Sequence, residues 1–133
     1  MNLGKIAAIG STGLLGEIVV GELARRAKLT TYQSLDGFIS GASSWGDAII
    51  VWASVWEIGE VRRRLREAAP EGANPVLLVV DHRDPHIHLS RLTDVHVERC
   101  RTGFVEMFDA LDSYLHRGSL MTAQQKAPQN QVA

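Results

Sequence analysis

The stretch of sequence that decides the fold is Asp47-Ala48-Ile49-Ile50-Val51-Trp52, a short and continuous apolar run that follows one acidic residue. A run that is apolar at every position, rather than at alternate positions, is typical of a strand buried on both faces of a parallel sheet. Residues 6–9 (Ile-Ala-Ala-Ile) and 75–80 (Pro-Val-Leu-Leu-Val-Val) have the same character. The sequence therefore predicts three buried parallel strands at the centre of the fold.

Segments with helical spacing lie between and after these strands. A helix carries its apolar residues every three or four positions, so that they form one stripe. The stripes are Leu15, Val19 and Leu23; Ile58, Val61 and Leu65; and Phe104, Phe108, Leu111 and Leu115. Weaker strands are expected at 29–35 and 94–99, and residues 36–44 are expected to hold at most one helical turn. Strands that alternate with helices predict an α/β domain with helices on both faces of the sheet.

Length and composition describe one ordinary globular domain. The chain has 133 residues, of which 45% are hydrophobic and 22% are charged, and its net charge is -1. This balance gives no general reason to expect binding to DNA or to a membrane, and no stretch reaches the ~18 apolar residues of a membrane span. Cys100 is the single cysteine, which fits a reducing cytoplasm. We expect a cytoplasmic domain over 1–120, followed by a polar, flexible tail or interdomain linker over 121–133.

A glycine-rich turn follows the first predicted strand. Gly10, Gly13 and Gly16 have the spacing GxxGxxG between a strand and a helix, which is where dinucleotide-binding folds hold a pyrophosphate. The turn resembles that of extended short-chain dehydrogenases, and this resemblance implies an NAD(P)-binding, reductase-like domain with Asp36 as the ribose-binding acid. However, the sequence has no Tyr-x-x-x-Lys pair. The alternative is that the glycines only allow a tight turn into an N-capped helix.

The middle and the end of the chain carry a second resemblance. Residues 60–70 and 75–85 resemble the third helix and the fourth strand of bacterial response-regulator receivers of the NarL/LuxR type, and residues 115–120 resemble the end of their last helix. The resemblance covers residues 4–120. It implies a receiver-like, flavodoxin-like fold: three αβα layers with five parallel strands in the order 2-1-3-4-5. Because residues 85–94 are few, the fourth helix of a receiver is expected to be reduced or missing.

The same resemblance locates the residues that would take part in phosphorylation. In receivers, an acidic pair after the first strand holds Mg²⁺, an aspartate ends the third strand, a hydroxyl residue ends the fourth and a lysine ends the fifth. Here these positions fall on Gly10 and Ser11, on Trp52, on Val80, and near Glu98 or Arg99, with Asp81 one residue past the hydroxyl position. Glycine and serine have no carboxylate to coordinate a hard cation such as Mg²⁺, and tryptophan cannot accept a phosphoryl group. We therefore expect a degenerate phosphorylation cleft, open to a small ligand, formed by Gly10, Ser11, Trp52, Val80, Asp81 and Arg99.

Three other groups of residues are assigned to solvent or to packing. The run Asp81–His88, with His96, is rich in metal-ligand types but is expected to be a solvated loop, so we predict no metal site and no cofactor. Trp45, Trp52 and Trp56 are expected mainly in core and edge packing. The arginines at 62–64 and 66 are expected on a solvated helix face, because nearby glutamates neutralise them.

These observations predict a regulatory domain of a transcription regulator, and not an enzyme, that acts without phosphorylation. Its mechanism is dimerisation, the binding of a small molecule, or both, and DNA is expected to be contacted only through a domain outside this chain. A reductase-like NAD(P)-binding domain and a stand-alone interaction domain are the alternatives. The expected homodimer uses the final helix, alone or together with the first helix or the fifth strand, with Val105, Met107 and Tyr114 at exposed helix edges as its interface.

Overall fold

The computed structural model describes residues 3–11, 13–81, 83, 86–101 and 103–117 of the chain. In chain order, these residues form β1 (Lys5–Ile9), α1 (Gly13–Arg26), β2 (Lys28–Tyr32), α2 (Leu35–Gly41), β3 (Ala48–Trp52), a 3₁₀ turn (Val55–Glu57), α3 (Ile58–Ala68), β4 (Val76–Val80), β5 (His86–Arg91), β6 (Glu98–Arg101) and α4 (Phe104–Arg117). Among them, no helix has the length and apolar character needed to cross a bilayer. The expected tail over 121–133 lies outside the described residues.

The strands form one mixed sheet in the order β2-β1-β3-β4-β5-β6. Strands β1 to β4 are parallel to one another, whereas β5 runs antiparallel to β4 and β6 runs antiparallel to β5. The prediction of an α/β domain is confirmed. The prediction of a five-stranded, fully parallel sheet is wrong, because a sixth strand is present and the last two strands form an antiparallel hairpin.

The additional strand is β5, where the sequence favours a loop or a reduced helix. Ile87 and Leu89 enter the core beside α4, while His88 and Ser90, which alternate with them along β5, lie on the other face. This alternation is a strand signal, but the polar residues around it hide the signal in the sequence.

The connection before β5 explains its direction. The link from Val80 to His86 is too short for the crossover that a further parallel strand requires, so the chain must return antiparallel to β4. The strand expected at 94–99 therefore forms later, at Glu98–Arg101, and lies one strand farther from β4.

Two apolar cores lie on the two faces of the sheet, because successive strand residues point in opposite directions. The face covered by α1 and α4, called here the α1–α4 side, buries Ile6, Ile50, Leu78, Ile87 and Leu89 against Val19, Leu23, Phe108 and Leu111. The opposite face, called the α2–α3 side, buries Ala7, Ile9, Ile49, Val51, Leu77 and Val79 against Phe38, Val61 and Leu65. Strands β3 and β4 are thus buried on both faces, as their continuous apolar runs predict.

Helix α2 is longer than the single turn expected from the sequence. The Ser34 hydroxyl accepts a hydrogen bond from the Gly37 N–H at 3.0 Å and so caps the first turn. Phe38 is fully buried, with its ring centroid 5.2 Å from that of Tyr32 and 4.9 Å from that of Trp45. One cap and one buried aromatic ring therefore hold a helix whose other residues are mostly small or polar.

The arginines of α3 do not form one solvated face. Arg62 is buried and donates a hydrogen bond to the main-chain oxygen of Asp94. Arg66 donates to the main-chain oxygens of Leu92 and Asp94, at 2.7 and 2.6 Å. The remaining two, Arg63 and Arg64, form ion pairs with Glu60, Glu67 and Asp36. The expectation is wrong for Arg62 because the β5–β6 turn, which the sequence did not predict, lies against α3.

Candidate functional site

The carboxyl ends of β1 and β3 are the first place to look for a site in this fold. From β1 the chain moves outward to β2 and then crosses back to β3 on the other side of β1. This arrangement is a topological switch point, where ligands of open α/β sheets characteristically bind.

The glycine turn after β1 is shaped by backbone requirements. Gly10 and Gly13 both have a φ of 71°, a conformation that residues with a side chain rarely adopt. The Gly10 N–H donates to the Tyr32 carbonyl at 2.9 Å, which fixes the end of β1 against β2. Gly16 lies within α1, and a Cβ there would make only an ordinary contact of 3.4 Å with the Ser11 carbonyl carbon. A tight turn from strand to helix thus accounts for Gly10 and Gly13.

Two hollows open beside this turn. One, called here the switch-point cleft, has a volume of 230 Å³ and is lined by Ile9, Gly10, Gln33, Ser34, Leu35, Val51, Trp52, Ala53, Glu57, Glu60, Val61 and Arg64. The other has a volume of 260 Å³ and is lined by Gly10, Ser11, Thr31, Tyr32 and Gln33. Both are smaller than the roughly 300 Å³ at which pockets for drug-sized ligands begin.

The charged groups around the switch-point cleft already have partners. A hydrogen bond from Arg63, opposed in part by desolvation, holds the pKa of Glu60 below its usual range. Arg64 forms an ion pair with Asp36 across the gap between α3 and α2. Glu57 accepts a hydrogen bond from the Ser54 N–H at 3.3 Å. The cleft therefore presents mainly an apolar floor with carboxylates at its rim.

Three residues of the predicted receiver-like cleft, Gly10, Trp52 and Val80, lie together at this edge of the sheet. Trp52 and Val80 are register partners on β3 and β4, and the Trp52 carbonyl lies 3.7 Å from where a Cβ on Gly10 would be. Ser11 lines the neighbouring hollow. Asp81 is buried, and its carboxylate accepts a hydrogen bond from the Arg83 N–H at 2.9 Å.

Arg99 does not belong to this cleft, which corrects the sequence prediction. It pairs in register with His88, on the α2–α3 side and two strands away from β4, whereas the Trp52 side chain packs on the α1–α4 side. Its guanidinium lies 3.2 Å from Nδ1 of His86. The insertion of β5 moves the last strand outward and so removes Arg99 from the carboxyl edge of β3.

The loop that is rich in metal-ligand types is partly outside the described residues, which do not include 82, 84 and 85. His86 and His88 lie in β5, and His96 lies in the turn beyond its other end. Among the described residues, no group of three or more His, Cys, Asp or Glu side chains is arranged to hold a metal ion.

The three tryptophans have three different environments. Trp45 is buried on the α2–α3 side, Trp52 is partly buried on the α1–α4 side, and Trp56 is almost fully exposed on the 3₁₀ turn. Packing therefore accounts for Trp45 and Trp52, which line two different pockets.

Two of the three residues predicted for a dimer interface are buried inside the monomer. Met107 and Tyr114 pack into the core on the α1–α4 side, together with Phe108 and Leu111, whereas Val105 is 69% exposed. The prediction is wrong for Met107 and Tyr114 because the buried stripe of α4 is wider than the sequence spacing suggests. A charged substitution at either position is expected to disrupt the core.

A groove between α1 and α4 was not found from the sequence. It has a volume of 420 Å³ and is lined by Ile18, Glu22, Arg26, Val105, Phe108 and Asp109. Ile18 is 48% exposed, and Leu14, one turn earlier, is 73% exposed. The signal in the sequence is the second apolar pair of α1, which lies off its buried stripe of Val19 and Leu23. This surface is called here the α1–α4 groove.

Comparisons with known proteins add nothing to this geometry: no family model, no curated protein and no solved structure matches the chain.

Proposed function

We propose that this chain is a phosphorylation-independent regulatory domain of a transcription regulator, and that it works by self-association through the α1–α4 groove. The observation that carries the proposal is the exposure of Ile18 and Val105, which line that groove, together with that of Leu14 one turn before Ile18 on α1. Apolar side chains that cluster on a surface commonly mark a place where a partner binds.

The charges that border the groove favour a second copy of the chain as that partner. The last turn of α1 is basic, with Arg25 and Arg26, whereas the first half of α4 is acidic, with Glu106 and Asp109. A two-fold arrangement that lays α1 of one copy antiparallel to α4 of the other brings opposite charges together twice. Asp109 is exposed and has no ion pair among the described residues, so it is available for this contact.

The carboxyl edge of the sheet supports a mechanism without phosphorylation. Gly10 and Ser11 carry no carboxylate for Mg²⁺, and Trp52 stands at the end of β3. The Asp81 carboxylate, one residue past the end of β4, is buried and accepts a hydrogen bond from the Arg83 N–H. These features support a response to a signal other than phosphorylation.

Sedimentation velocity tests the proposal directly. We expect the unmodified domain to be a dimer at micromolar concentration, and Val105→Glu or Ile18→Glu to shift it to monomer, because each places a charge in the apolar contact. Val95→Glu is the matched control. Val95 is 96% exposed in the β5–β6 turn, which adjoins α4 near Tyr114 rather than Val105.

A charge exchange tests the arrangement of the two copies. Arg25→Glu is expected to weaken the dimer, and the added change Asp109→Arg is expected to restore it. A monomer at high micromolar concentration, or a dimer that Val105→Glu leaves intact, would contradict the proposal.

The switch-point cleft supports a second mechanism for the same regulatory role. Its 230 Å³ are sufficient for a small compound, and Glu57 and Glu60 at the rim favour a neutral or cationic one over a phosphate. A monomeric domain would leave this mechanism as the remaining one. Screening small compounds by their effect on the melting temperature tests it, with Ala53→Trp as a variant that fills the cleft from a partly buried position.

A further inference from the structure

A separate pocket lies at the opposite, amino end of the parallel strands, on the α2–α3 side. It has a volume of 180 Å³, and it is lined by Lys5, Ile6, Ala7, Lys28, Thr30, Tyr32, Ser43, Ser44, Trp45 and Gly46. Strands β1 and β2 form its base, and the loop between α2 and β3 forms its wall. It is called here the amino-edge pocket.

Two lysines stand side by side in this pocket. Lys5 and Lys28 are register partners on neighbouring parallel strands, and strands in a sheet are about 4.8 Å apart. They lie on the face that also carries Ala7 and Tyr32, so both side chains project on the same side of the sheet. Like charges directly opposite each other destabilise a sheet, and neither lysine has an ion pair among the described residues.

No carboxylate lines the pocket to neutralise these charges. The acidic residue nearest to it in the sequence is Asp47, and its carboxylate accepts a hydrogen bond from the Lys5 N–H at 2.9 Å. Asp47 lines a different hollow, beside Leu115 and His116 of α4. Four residues with hydroxyl groups also line the pocket: Thr30, Tyr32, Ser43 and Ser44.

The wall of the pocket is held in place by packing and backbone geometry. Gly46 has a φ of 68°, and a Cβ at this position would lie 2.9 Å from the Lys5 carbonyl oxygen, so only glycine allows the loop to approach β1 this closely. Trp45 is buried against Phe38, and the Ser44 hydroxyl accepts a hydrogen bond from the Gly46 N–H at 3.3 Å. The pocket is therefore formed before any ligand arrives, which reduces the entropic cost of binding.

We propose that the amino-edge pocket binds a small oxyanion: inorganic phosphate, or the phosphate group of a small ester. Two ammonium groups and several hydroxyl donors around a space without carboxylates match the charge and the acceptor oxygens of phosphate. The volume of 180 Å³ is well below the roughly 300 Å³ of pockets for drug-sized ligands, so only a phosphate group with few further atoms fits inside. This site is independent of the α1–α4 groove and of the switch-point cleft.

Titration of the ¹⁵N-labelled chain with inorganic phosphate, at constant ionic strength, tests the proposal. We expect saturable shifts of the amide signals of residues 5–7, 28–30 and 43–46. Lys5→Gln and Lys28→Gln should each raise the dissociation constant about tenfold, since each removes one charge-assisted contact. Arg101→Gln is the matched control, because Arg101 is an exposed cation at the end of β6 that lines neither this pocket nor the α1–α4 groove.

A parallel titration with glycerol phosphate separates the two sources of the anion. Tighter binding of the ester than of inorganic phosphate indicates the phosphate group of a small metabolite, and the reverse order indicates the free ion. Shifts that do not saturate, that spread over all basic residues, or that persist unchanged in both lysine variants would overturn the proposal. The amide spectrum of each variant shows at the same time that it is folded.

Discussion

The phenol of Tyr114 donates a hydrogen bond to the Asp94 carboxylate over 3.2 Å, and this contact joins α4 to the β5–β6 turn. The main-chain oxygen of Asp94 accepts hydrogen bonds from Arg62 and Arg66 of α3, which lies on the other side of the sheet. One residue of the turn thus connects helices from both layers. The burial of Arg62, together with the nearby charge of Arg66, lowers the pKa of its guanidinium.

The Tyr114 contact predicts a loss of stability in alkali. Burial, with the charges of Asp94 and Glu98, raises the pKa of Tyr114 to about 12, whereas the unfolded chain has a tyrosine pKa of about 10. The folded state therefore holds this proton more tightly. The resulting stability is fully present below pH ~10 and is lost as the pH rises through about 12.

Tyr114→Phe should remove this part of the pH dependence and cost about 1 kcal/mol at neutral pH, because one hydrogen bond is lost. Urea unfolding of both proteins from neutral to alkaline pH measures the difference between their stabilities. Tyr32→Phe is the control, and it should retain the alkaline loss because Tyr114 is intact. Parallel pH curves for the wild-type chain and Tyr114→Phe would refute the prediction.

Incubation with acetyl phosphate and Mg²⁺ is expected to leave the mass of the chain unchanged. Gly10 and Ser11 give the metal no carboxylate, Trp52 cannot accept a phosphoryl group, and the Asp81 carboxylate is buried. Intact-mass measurement checks this expectation. A base-labile adduct that is absent from Asp81→Asn would show that Asp81 accepts the group after all.

NAD(H) and NADP(H) are expected not to bind tightly. Gly10 and Gly13 have the conformation of a glycine turn, but Asp36, the candidate for the ribose-binding acid, lies in the first turn of α2 and is paired with Arg64. Calorimetry is the measurement. A dissociation constant in the low micromolar range, roughly -8 kcal/mol, would instead support the reductase-like alternative.

Two glycine-to-alanine substitutions are expected to change stability in opposite directions. Gly21 lies inside α1 with no atom within 4 Å of an added Cβ, so Gly21→Ala should stabilise the fold by up to about 1 kcal/mol. Gly10 also has room for a Cβ, but its φ is 71°, which an alanine rarely adopts. Gly10→Ala should therefore lower the free energy of unfolding by about 1–2 kcal/mol. Urea unfolding of both variants tests the pair. Equal effects would mean that the backbone conformation at Gly10 is not the constraint.

Local patterns in the sequence were sufficient for the α/β class and for the elements up to β4, apart from the length of α2. The apolar run at 47–52 contains β3, and the helical stripes that begin at Leu15 and Ile58 lie in α1 and α3, because burial on two faces or on one stripe requires those patterns whatever the neighbours are. The glycine turn was also visible, since a strand that turns at once into a helix needs positive φ values.

The tertiary structure alone decided the direction of β5, the place of Arg99 and the burial of Met107, Tyr114 and Arg62. The direction of a strand depends on the length of the link before it, and its face depends on the register with its neighbour. Whether a side chain is buried depends on which element packs against it. For Arg62, that element is the turn that carries Asp94. The lysine pair of the amino-edge pocket has the same origin, because Lys5 and Lys28 are distant in the sequence and only the parallel register of β1 and β2 makes them neighbours.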